Sequence, residues 1–243
     1  MKTEIPSSSY ISVYKGKQFN KKRSKRIKRV VAFDLDETLG YFTQLGIIWE
    51  CLISKIDNNL SNFFKLLDLY PEFLRPNILN ILNYIKKKKK QKKCDMVIIY
   101  TNNNGPQNWS KMIGYYFNYK LNFKIIDKVI GAKSNLNCRT SNQKLYSDLR
   151  RCLNLDIKTK MCFVDNKVHK GMLVKNITYL LIPPYFYSFK NTYILKRINL
   201  DEEYLKKIIN VYNYEPKFNT KLEDDFKIGK LLLLELKKFF VQV

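Results

Sequence analysis

The chain has 243 residues, of which 45 are Lys or Arg and 21 are Asp or Glu, so its formal net charge at pH 7 is +24. Its hydrophobic fraction of 45%, with 14% aromatic residues, is ample for a packed core and excludes a wholly disordered chain. The charge indicates binding to nucleic acid or another polyanion, because a protein this basic gathers phosphates. However, Lys outnumbers Arg by 37 to 8 and Asn numbers 24, a bias that an AT-rich coding sequence produces whatever the protein does.

Cysteine usage and hydropathy predict the compartment. The five cysteines are scattered and never form a Cys-x-x-Cys pair, so neither a disulfide framework nor a zinc site is predicted. No apolar run is typical of a secretory signal or approaches the roughly 20 residues that span a membrane. We therefore expect a soluble intracellular protein, in the nucleus or the cytoplasm, without a membrane partner.

The predicted elements begin after a basic N-terminal arm. Residues 1–29 carry ten Lys or Arg and one acid, so residues 1–28 are predicted to precede the folded part. The basic cluster at 21–29 either directs nuclear import or is a solvated arm. Ordered structure is expected to start at Arg29.

Short apolar runs predict the strands of a parallel sheet. Each run ends abruptly in polar residues, as a strand buried on both faces does where it leaves the sheet. The runs lie at 30–33, 96–100, 161–164 and 179–182, with a weaker one around 129–130.

Between these runs the apolar spacing becomes helical. One helical pattern covers 48–67, and Pro76 is predicted to start a second helix that the Lys-rich run at 86–93 closes. Lysines at a helix end interact favourably with its dipole, so this run indicates a solvated helix end, with a polyanion contact as the alternative. The apolar spacing from Asp201 onward predicts helices that pack on the core or on a partner. Strands alternating with helices predict an α/β fold whose parallel sheet has helices on both faces.

Acidic residues follow the first predicted strand, at the edge where such folds bind ligands. Asp34 and Asp36 are two residues apart, so both carboxylates can reach one cleft and bind a cation. One of them can attack phosphorus as a nucleophile while the other transfers protons. The alternative is an acidic surface turn.

Two further segments contain candidate phosphate-binding groups. The hydroxyl of Thr101 and the backbone N–H groups that follow it, beginning with Asn102, can hold phosphate oxygens, although Asn-Gly-Pro is also an ordinary turn signal. If Ser141 caps the next helix, Lys144 occupies a position where the helix dipole disfavours a cation. Neutralising a transferring phosphoryl group is one reason for a lysine there, and chance in a lysine-rich chain is the rival.

Asp165 and Asn166 follow the 161–164 strand and complete a candidate metal site. Together with Asp34 and the carbonyl of Asp36 they offer the oxygen ligands that Mg²⁺ prefers. His169, the single histidine, is expected to be a loop residue with packing or surface contacts rather than a substrate contact.

The order of these four sites resembles the haloacid dehalogenase superfamily of phosphatases. Residues 33–39, Phe-Asp-Leu-Asp-Glu-Thr-Leu, are similar to the first motif of its NLI-interacting-factor-like branch, which includes phosphatases of the RNA polymerase II C-terminal domain. Leu-Arg-Pro-Asn at 74–77 resembles the branch's Arg-Pro-Gly element, with Asn in place of Gly, and 164–166 resembles its fourth motif. The segments 100–109 and 139–144 are most similar to versions in large DNA viruses.

This resemblance implies a fold and a set of roles. It covers roughly 29–190 and implies a Rossmann-like three-layer sandwich at 29–200, with a helical insert at about 41–75 and a C-terminal helical extension at 201–243. Asp34 would be the nucleophile that forms an aspartyl-phosphate, and Asp36 the general acid and then base. Thr101 would hold a phosphate oxygen, and Lys144 would neutralise the phosphoryl group. Asp165 and Asn166 would complete the Mg²⁺ site, with Asn166 favoured as the direct ligand.

The expected function is that of a Mg²⁺-dependent phosphatase acting on a phosphorylated protein, such as a polymerase C-terminal tail. The alternatives are a phosphatase of nucleic-acid ends or nucleotides, which would use the basic surface, and a non-catalytic scaffold that binds polyanions. The last motif carries Asn at its second position, which leaves one anionic ligand fewer than an Asp-Asp pair. The insert at 41–75 has no traceable similarity, so peptide specificity does not transfer.

Overall fold

The computed structural model of the chain describes residues 4–5, 10–15, 26–103, 105, 108–132, 138–198, 201–211, 213–217 and 222–241. Residues 21–25 of the predicted basic cluster lie outside the described residues. Asn104 and Pro106 of the predicted phosphate-binding turn lie outside them as well.

A seven-stranded sheet forms the centre of the described structure. The strands are β1 (Glu4–Ile5), β2 (Ser12–Lys15), β3 (Arg29–Phe33), β4 (Met96–Tyr100), β5 (Lys128–Ile130), β6 (Lys160–Asp165) and β7 (Ile177–Leu181). Their order across the sheet is β1-β2-β7-β6-β3-β4-β5. The five strands from β7 to β5 are parallel, and β1 and β2 are antiparallel additions. The five predicted runs are therefore confirmed as strands of a parallel sheet.

The prediction that ordered structure starts at Arg29 is wrong. Residues Ser12 to Lys15 pair antiparallel with β7, with Val13 opposite Leu180. Ile11 and Val13 are buried, whereas Ser12 between them is exposed. This alternation is the pattern of an outer strand with one buried face, and the high Lys and Arg content of the surrounding segment concealed it.

The helices lie on both faces of the sheet. They are α1 (Thr43–Ile53), α2 (Leu60–Leu69), α3 (Ile78–Lys90), α4 (Trp109–Lys120), α5 (Tyr146–Leu153), α6 (Asn191–Arg197), α7 (Glu202–Val211) and α8 (Leu222–Val241). Val31 and Phe33 of β3 point into one hydrophobic cluster, and Val30 and Ala32 point into another on the opposite face. None of the helices in the described part of the chain is long and apolar enough to cross a membrane.

The helical pattern at 48–67 corresponds to two helices rather than one. Between α1 and α2 the chain turns through a polar segment, and Asn59 caps α2 by accepting a hydrogen bond from the N–H of Asn62 at 2.9 Å. Ile56 and Leu60 are exposed, so two members of the apolar series do not reach the core. The capping asparagine was the signal for the break, because Asn is among the preferred N-cap residues.

The Lys-rich end of α3 is partly built into the fold. The Lys86 ammonium donates to the Leu121 carbonyl at 2.7 Å, and the Lys89 ammonium binds the Asp127 carboxylate at 2.7 Å. Exposed lysines such as Lys87 fit the predicted solvated helix end. These contacts join α3 to the segment after α4 at the amino end of β4.

The C-terminal helix α8 belongs to the same core as the sheet. Ile228, Leu232 and Leu236 are buried in the cluster that also contains residues of β3 and β4. The prediction that this segment packs on the core is therefore confirmed for α8.

A disulfide joins Cys138 to Cys152, contrary to the prediction of none. The two cysteines are 14 residues apart, and folding of the loop against α5 brings their Cα atoms to 5.0 Å. This approach depends on tertiary packing, so cysteine spacing did not reveal it. The bond ties the segment that leads to Lys144 onto α5.

Candidate active site

The predicted acidic residues meet at one edge of the sheet. Asp165 is the last residue of β6, Asp34 follows β3, and Thr101 follows β4. These three strands are adjacent and parallel, so their carboxyl ends lie side by side. The N–H of Asp34 donates to the Val164 carbonyl at 2.9 Å, which extends the sheet into the site.

Lys144 bridges the two buried carboxylates. Its ammonium donates to Asp34 Oδ1 and to Asp165 Oδ2, the latter at 2.8 Å, and its side chain is 2% exposed. The helix α5 begins at Tyr146, so Ser141 is not its N-cap and the predicted location of Lys144 inside the helix is wrong. The lysine instead lies on the loop before α5, and the carboxylates hold it in the site.

Burial and neighbouring charges act differently on the two carboxylates that bind Lys144. Burial raises the pKa of Asp34 to about 6, although the ammonium opposes this rise. Burial would also raise the pKa of Asp165, but the hydrogen bond from His169 and the charge of Lys144 outweigh burial and lower it. Asp165 accepts in addition from the Lys167 N–H at 2.8 Å. Two carboxylates therefore share one buried ammonium, and His169 is a further donor to Asp165.

Asp36 lies beside this pair in a different environment. Its Oδ2 accepts a hydrogen bond from the Asn103 side-chain amide at 2.7 Å. Burial raises the pKa of Asp36, the Asn103 hydrogen bond opposes that rise, and the charge of Glu37 adds to it. A raised carboxyl pKa suits a group that must donate a proton near neutral pH.

Asn166 and His169 lie on the segment that follows β6 and contact other residues of the site. The Asn166 amide donates to Glu37 Oε2 at 2.7 Å, and its Oδ1 accepts from the Thr38 hydroxyl at 3.2 Å. His169 Nε2 lies 3.3 Å from Asp165 Oδ2. The histidine expected to be an ordinary loop residue thus contacts one of the predicted site carboxylates.

The loop after β4 is arranged differently from the prediction. Thr101 is buried, and its hydroxyl oxygen accepts from the Asn103 N–H at 3.0 Å. The Gly105 N–H donates to Asn103 Oδ1 at 2.8 Å, so two of the backbone donors expected to hold phosphate are used within the loop. The side-chain oxygen of Asn102 accepts from Arg139 at 2.7 Å. Phosphate binding by Thr101 and Asn102 stays a prediction.

The donor chemistry fits a hard cation. Among the described residues no three His, Cys, Asp or Glu side chains form a metal-binding group. The predicted oxygen ligands are Asp34, the carbonyl of Asp36, Asp165 and Asn166. Asp34, Asp165 and Asn166 also accept hydrogen bonds from protein donors, and an oxygen that accepts one hydrogen bond keeps a further lone pair. Mg²⁺ needs only one or two carboxylates because it retains waters and binds substrate phosphate. An all-oxygen set that includes carboxylates therefore suits this ion.

The sequence did not predict two residues that position the site through hydrogen bonds. Asn103 orients Asp36, and Arg139 joins the loop after β4 to the Lys144 loop by donating to the Thr101 carbonyl at 3.0 Å and the Gln143 carbonyl at 3.2 Å. A single Asn within a run of Asn carries no signal of this role, and the pairing of Arg139 depends on tertiary contacts.

Comparisons of the chain with protein-family profiles, with curated proteins and with solved structures found no match.

Proposed function

We propose that the chain is a Mg²⁺-dependent phosphomonoester hydrolase that works through an aspartyl-phosphate, as its resemblance to the haloacid dehalogenase phosphatases implies. The observation that carries the proposal is the buried lysine between Asp34 and Asp165, with Asp36 beside them. A buried ammonium held by two carboxylates costs desolvation, which a purely structural site could avoid with apolar residues. The same arrangement can stabilise the charge that develops on a transferring phosphoryl group.

The reaction would run in two steps. In the first, an Asp34 oxygen attacks phosphorus, the bond to the ester oxygen breaks, and Asp36 gives its proton to the leaving alcohol. In the second, Asp36 takes a proton from water, the water oxygen attacks phosphorus, and phosphate leaves while the Asp34 carboxylate is regenerated. Lys144 offsets the repulsion between the carboxylate and the phosphate in both steps.

Asp34, the carbonyl of Asp36, and Asn166 would hold Mg²⁺, and Asp165 would support the site through Lys144. When bound, the ion would neutralise charge on the phosphoryl oxygens. Glu37 and Thr38 orient Asn166 by hydrogen bonds to both ends of its amide, so the Asn166 oxygen has a defined direction.

The substrate class that we propose is a phosphorylated protein, and it rests on the resemblance to C-terminal-domain phosphatases. The net charge of +24 suits an acidic, multiply phosphorylated segment. Phosphorylated nucleic-acid ends are the second candidate, because the same charge attracts them. The two differ in salt dependence, which is steep when several phosphates of one ligand are bound.

The test compares Asp34→Asn with Asp156→Asn in hydrolysis of an aryl phosphate, with and without Mg²⁺. Asp156 is exposed and caps the local turn by accepting from the Lys158 N–H at 2.8 Å, so it serves as the matched control. We expect Mg²⁺-dependent hydrolysis by the wild type and the control, and none by Asp34→Asn. An inactive wild type contradicts the proposal and favours the non-catalytic scaffold. Rates on phosphopeptide and phosphorylated DNA ends at two salt concentrations then separate the substrate classes.

A further inference from the structure

Arg75 is a buried arginine that lies behind the candidate active site. It is 1% exposed and precedes α3. Its Nε donates to the Thr38 carbonyl at 2.7 Å, and one Nη donates to the carbonyls of Glu37 at 2.6 Å and Pro183 at 2.7 Å. One guanidinium therefore joins three backbone carbonyls, and two of them belong to the turn that follows Asp36.

That turn contains an unusual backbone conformation. Glu37 has φ of 61°, the left-handed region that residues other than Gly, Asn and Asp rarely adopt. Its carbonyl accepts from Arg75 and from the Tyr185 N–H at 2.9 Å, and its own N–H donates to the Gly40 carbonyl at 2.7 Å. Donors from outside the turn thus hold a conformation that Glu37 would not prefer alone.

The conformation at Glu37 directs two site groups. The peptide that joins Asp36 to Glu37 carries the Asp36 carbonyl, so rotation about the Glu37 backbone changes where that carbonyl points. The Glu37 side chain accepts from Asn166 at 2.7 Å, and the Thr38 hydroxyl donates to the other end of that amide. A turn with a different conformation would move the Asp36 carbonyl and Asn166 together.

Residues from the C-terminal part of the chain also surround the Arg75 guanidinium. Its central carbon lies 5.5 Å from the centroid of the Tyr185 ring. Burial lowers the pKa of Arg75 to about 10, and the negative charge of Asp225 on α8 opposes this change. Gly229 of α8 packs directly against Pro76, the residue that follows Arg75. A Cβ atom at position 229 would lie only 2.6 Å from the Pro76 carbonyl oxygen. The C-terminal helix therefore forms part of the environment that keeps Arg75 in place.

We propose that Arg75 is a positioning residue, which holds Glu37 and Thr38 in the conformation that directs the Asp36 carbonyl and Asn166 into the site. It acts through the backbone and does not touch substrate. The activity readout rests on the proposed phosphatase function, whereas the conformational readout does not.

The test uses Arg75→Lys, which keeps the charge but has a single ammonium in place of the planar fork, and Arg75→Ala with added guanidinium ion. Because misplacement by about 1 Å can cost about 10²-fold, we expect kcat on an aryl phosphate to fall by roughly that factor in both variants, with KM nearly unchanged. Guanidinium should restore kcat in Arg75→Ala, and methylammonium should not. Arg197→Lys makes the same change at an exposed arginine, where a single ammonium replaces the fork that binds both oxygens of Glu72; it is the control and should keep kcat.

Amide hydrogen exchange in the 36–41 segment is the second readout. The N–H groups of Glu37 and Tyr41 donate to carbonyls at 2.7 and 2.8 Å, and they should exchange faster in Arg75→Lys than in the wild type or Arg197→Lys. If the wild type is inactive, faster exchange still supports the proposal while the phosphatase function fails. If Arg75→Lys has the same kcat and the same amide exchange rates as the wild type, the proposal is overturned. Failure of both variants to fold would also overturn it, since Arg75 would then be required for folding rather than for position.

Discussion

Replacing Lys144 with Met removes the cation between two buried carboxylates and should have a pH-dependent effect on stability. Breaking a buried ion pair by removing one partner costs about 3–5 kcal/mol. For a domain of this size that loss corresponds to a fall in Tm of about 6–20 °C. The geometry supports the upper part of the range, because the Lys144 ammonium contacts both Asp34 and Asp165 and its side chain is only 2% exposed.

The sign of the pH effect follows from the carboxylates. Without Lys144, the folded-state pKa of Asp34 rises further above its unfolded value, and the folded-state pKa of Asp165, which is lowered in the wild type, rises as well. Between the unfolded and folded pKa values of Asp34, the folded variant then binds more protons than the unfolded chain, so this part of its stability is greatest at low pH and is lost as pH rises. The difference in Tm between wild type and variant should therefore be large at pH 8 and small at pH 5.

Thermal unfolding of the two proteins at pH 5, 6.5 and 8 measures this effect, with Lys89→Met as the control. Lys89 also binds a carboxylate at 2.7 Å, but this pair with Asp127 lies at the amino end of β4, away from the site. The control should lose stability without losing hydrolysis, whereas Lys144→Met should lose both. A Tm difference of the same size at every pH would refute the electrostatic account of Lys144.

Two further predictions concern the loop that carries Lys144. Replacing both Cys138 and Cys152 by Ser should lower the free energy of unfolding by about 3 kcal/mol, the loss expected for a closed loop of this length. Denaturant unfolding measures this loss. If the wild type is equally stable with and without a reducing agent, the prediction is wrong. Burial would raise the pKa of Asp148, but hydrogen bonds from Thr140 and the charge of Arg151 outweigh it and lower the pKa. This carboxylate thus contributes stability that is present above its unfolded pKa and lost as pH falls through its folded one. Asp148→Asn should cost about 1–3 kcal/mol at pH 7, and the cost should diminish as pH falls through the lowered folded-state pKa if the ionised carboxylate is its source.

The sheet and its acidic edge could be predicted because they depend on local pattern. A strand buried on both faces is a short apolar run, and the end of each run locates the residues that meet at the edge of a parallel sheet. Asp34 and Asp165 therefore lie where the sequence predicted. Lys144 also reaches the site, although the predicted helix cap at Ser141 does not exist.

The residues that hold the site could not be predicted in this way. Arg75 binds the carbonyls of Glu37, Thr38 and Pro183, which are between 37 and 108 residues away in the sequence. The residues next to Arg75 in the sequence do not indicate these partners. The disulfide likewise depends on how the loop folds against α5. The strand β2 was missed for a different reason, since four residues with one buried face give a weak pattern inside a basic segment.

The antiparallel pairing of β2 with β7 covers a sheet edge that would otherwise be open to pairing with another chain. β7 is parallel to β6 on one side, and β2 covers its other side from Ser12 to Lys15. An uncovered strand presents unpaired N–H and C=O groups with which another chain can form hydrogen bonds. The outermost strand on this side of the sheet is β1, and its two residues offer few such groups. A chain shortened to begin at Arg29 would expose β7 along its length, and such a protein should aggregate even though its candidate active site is complete.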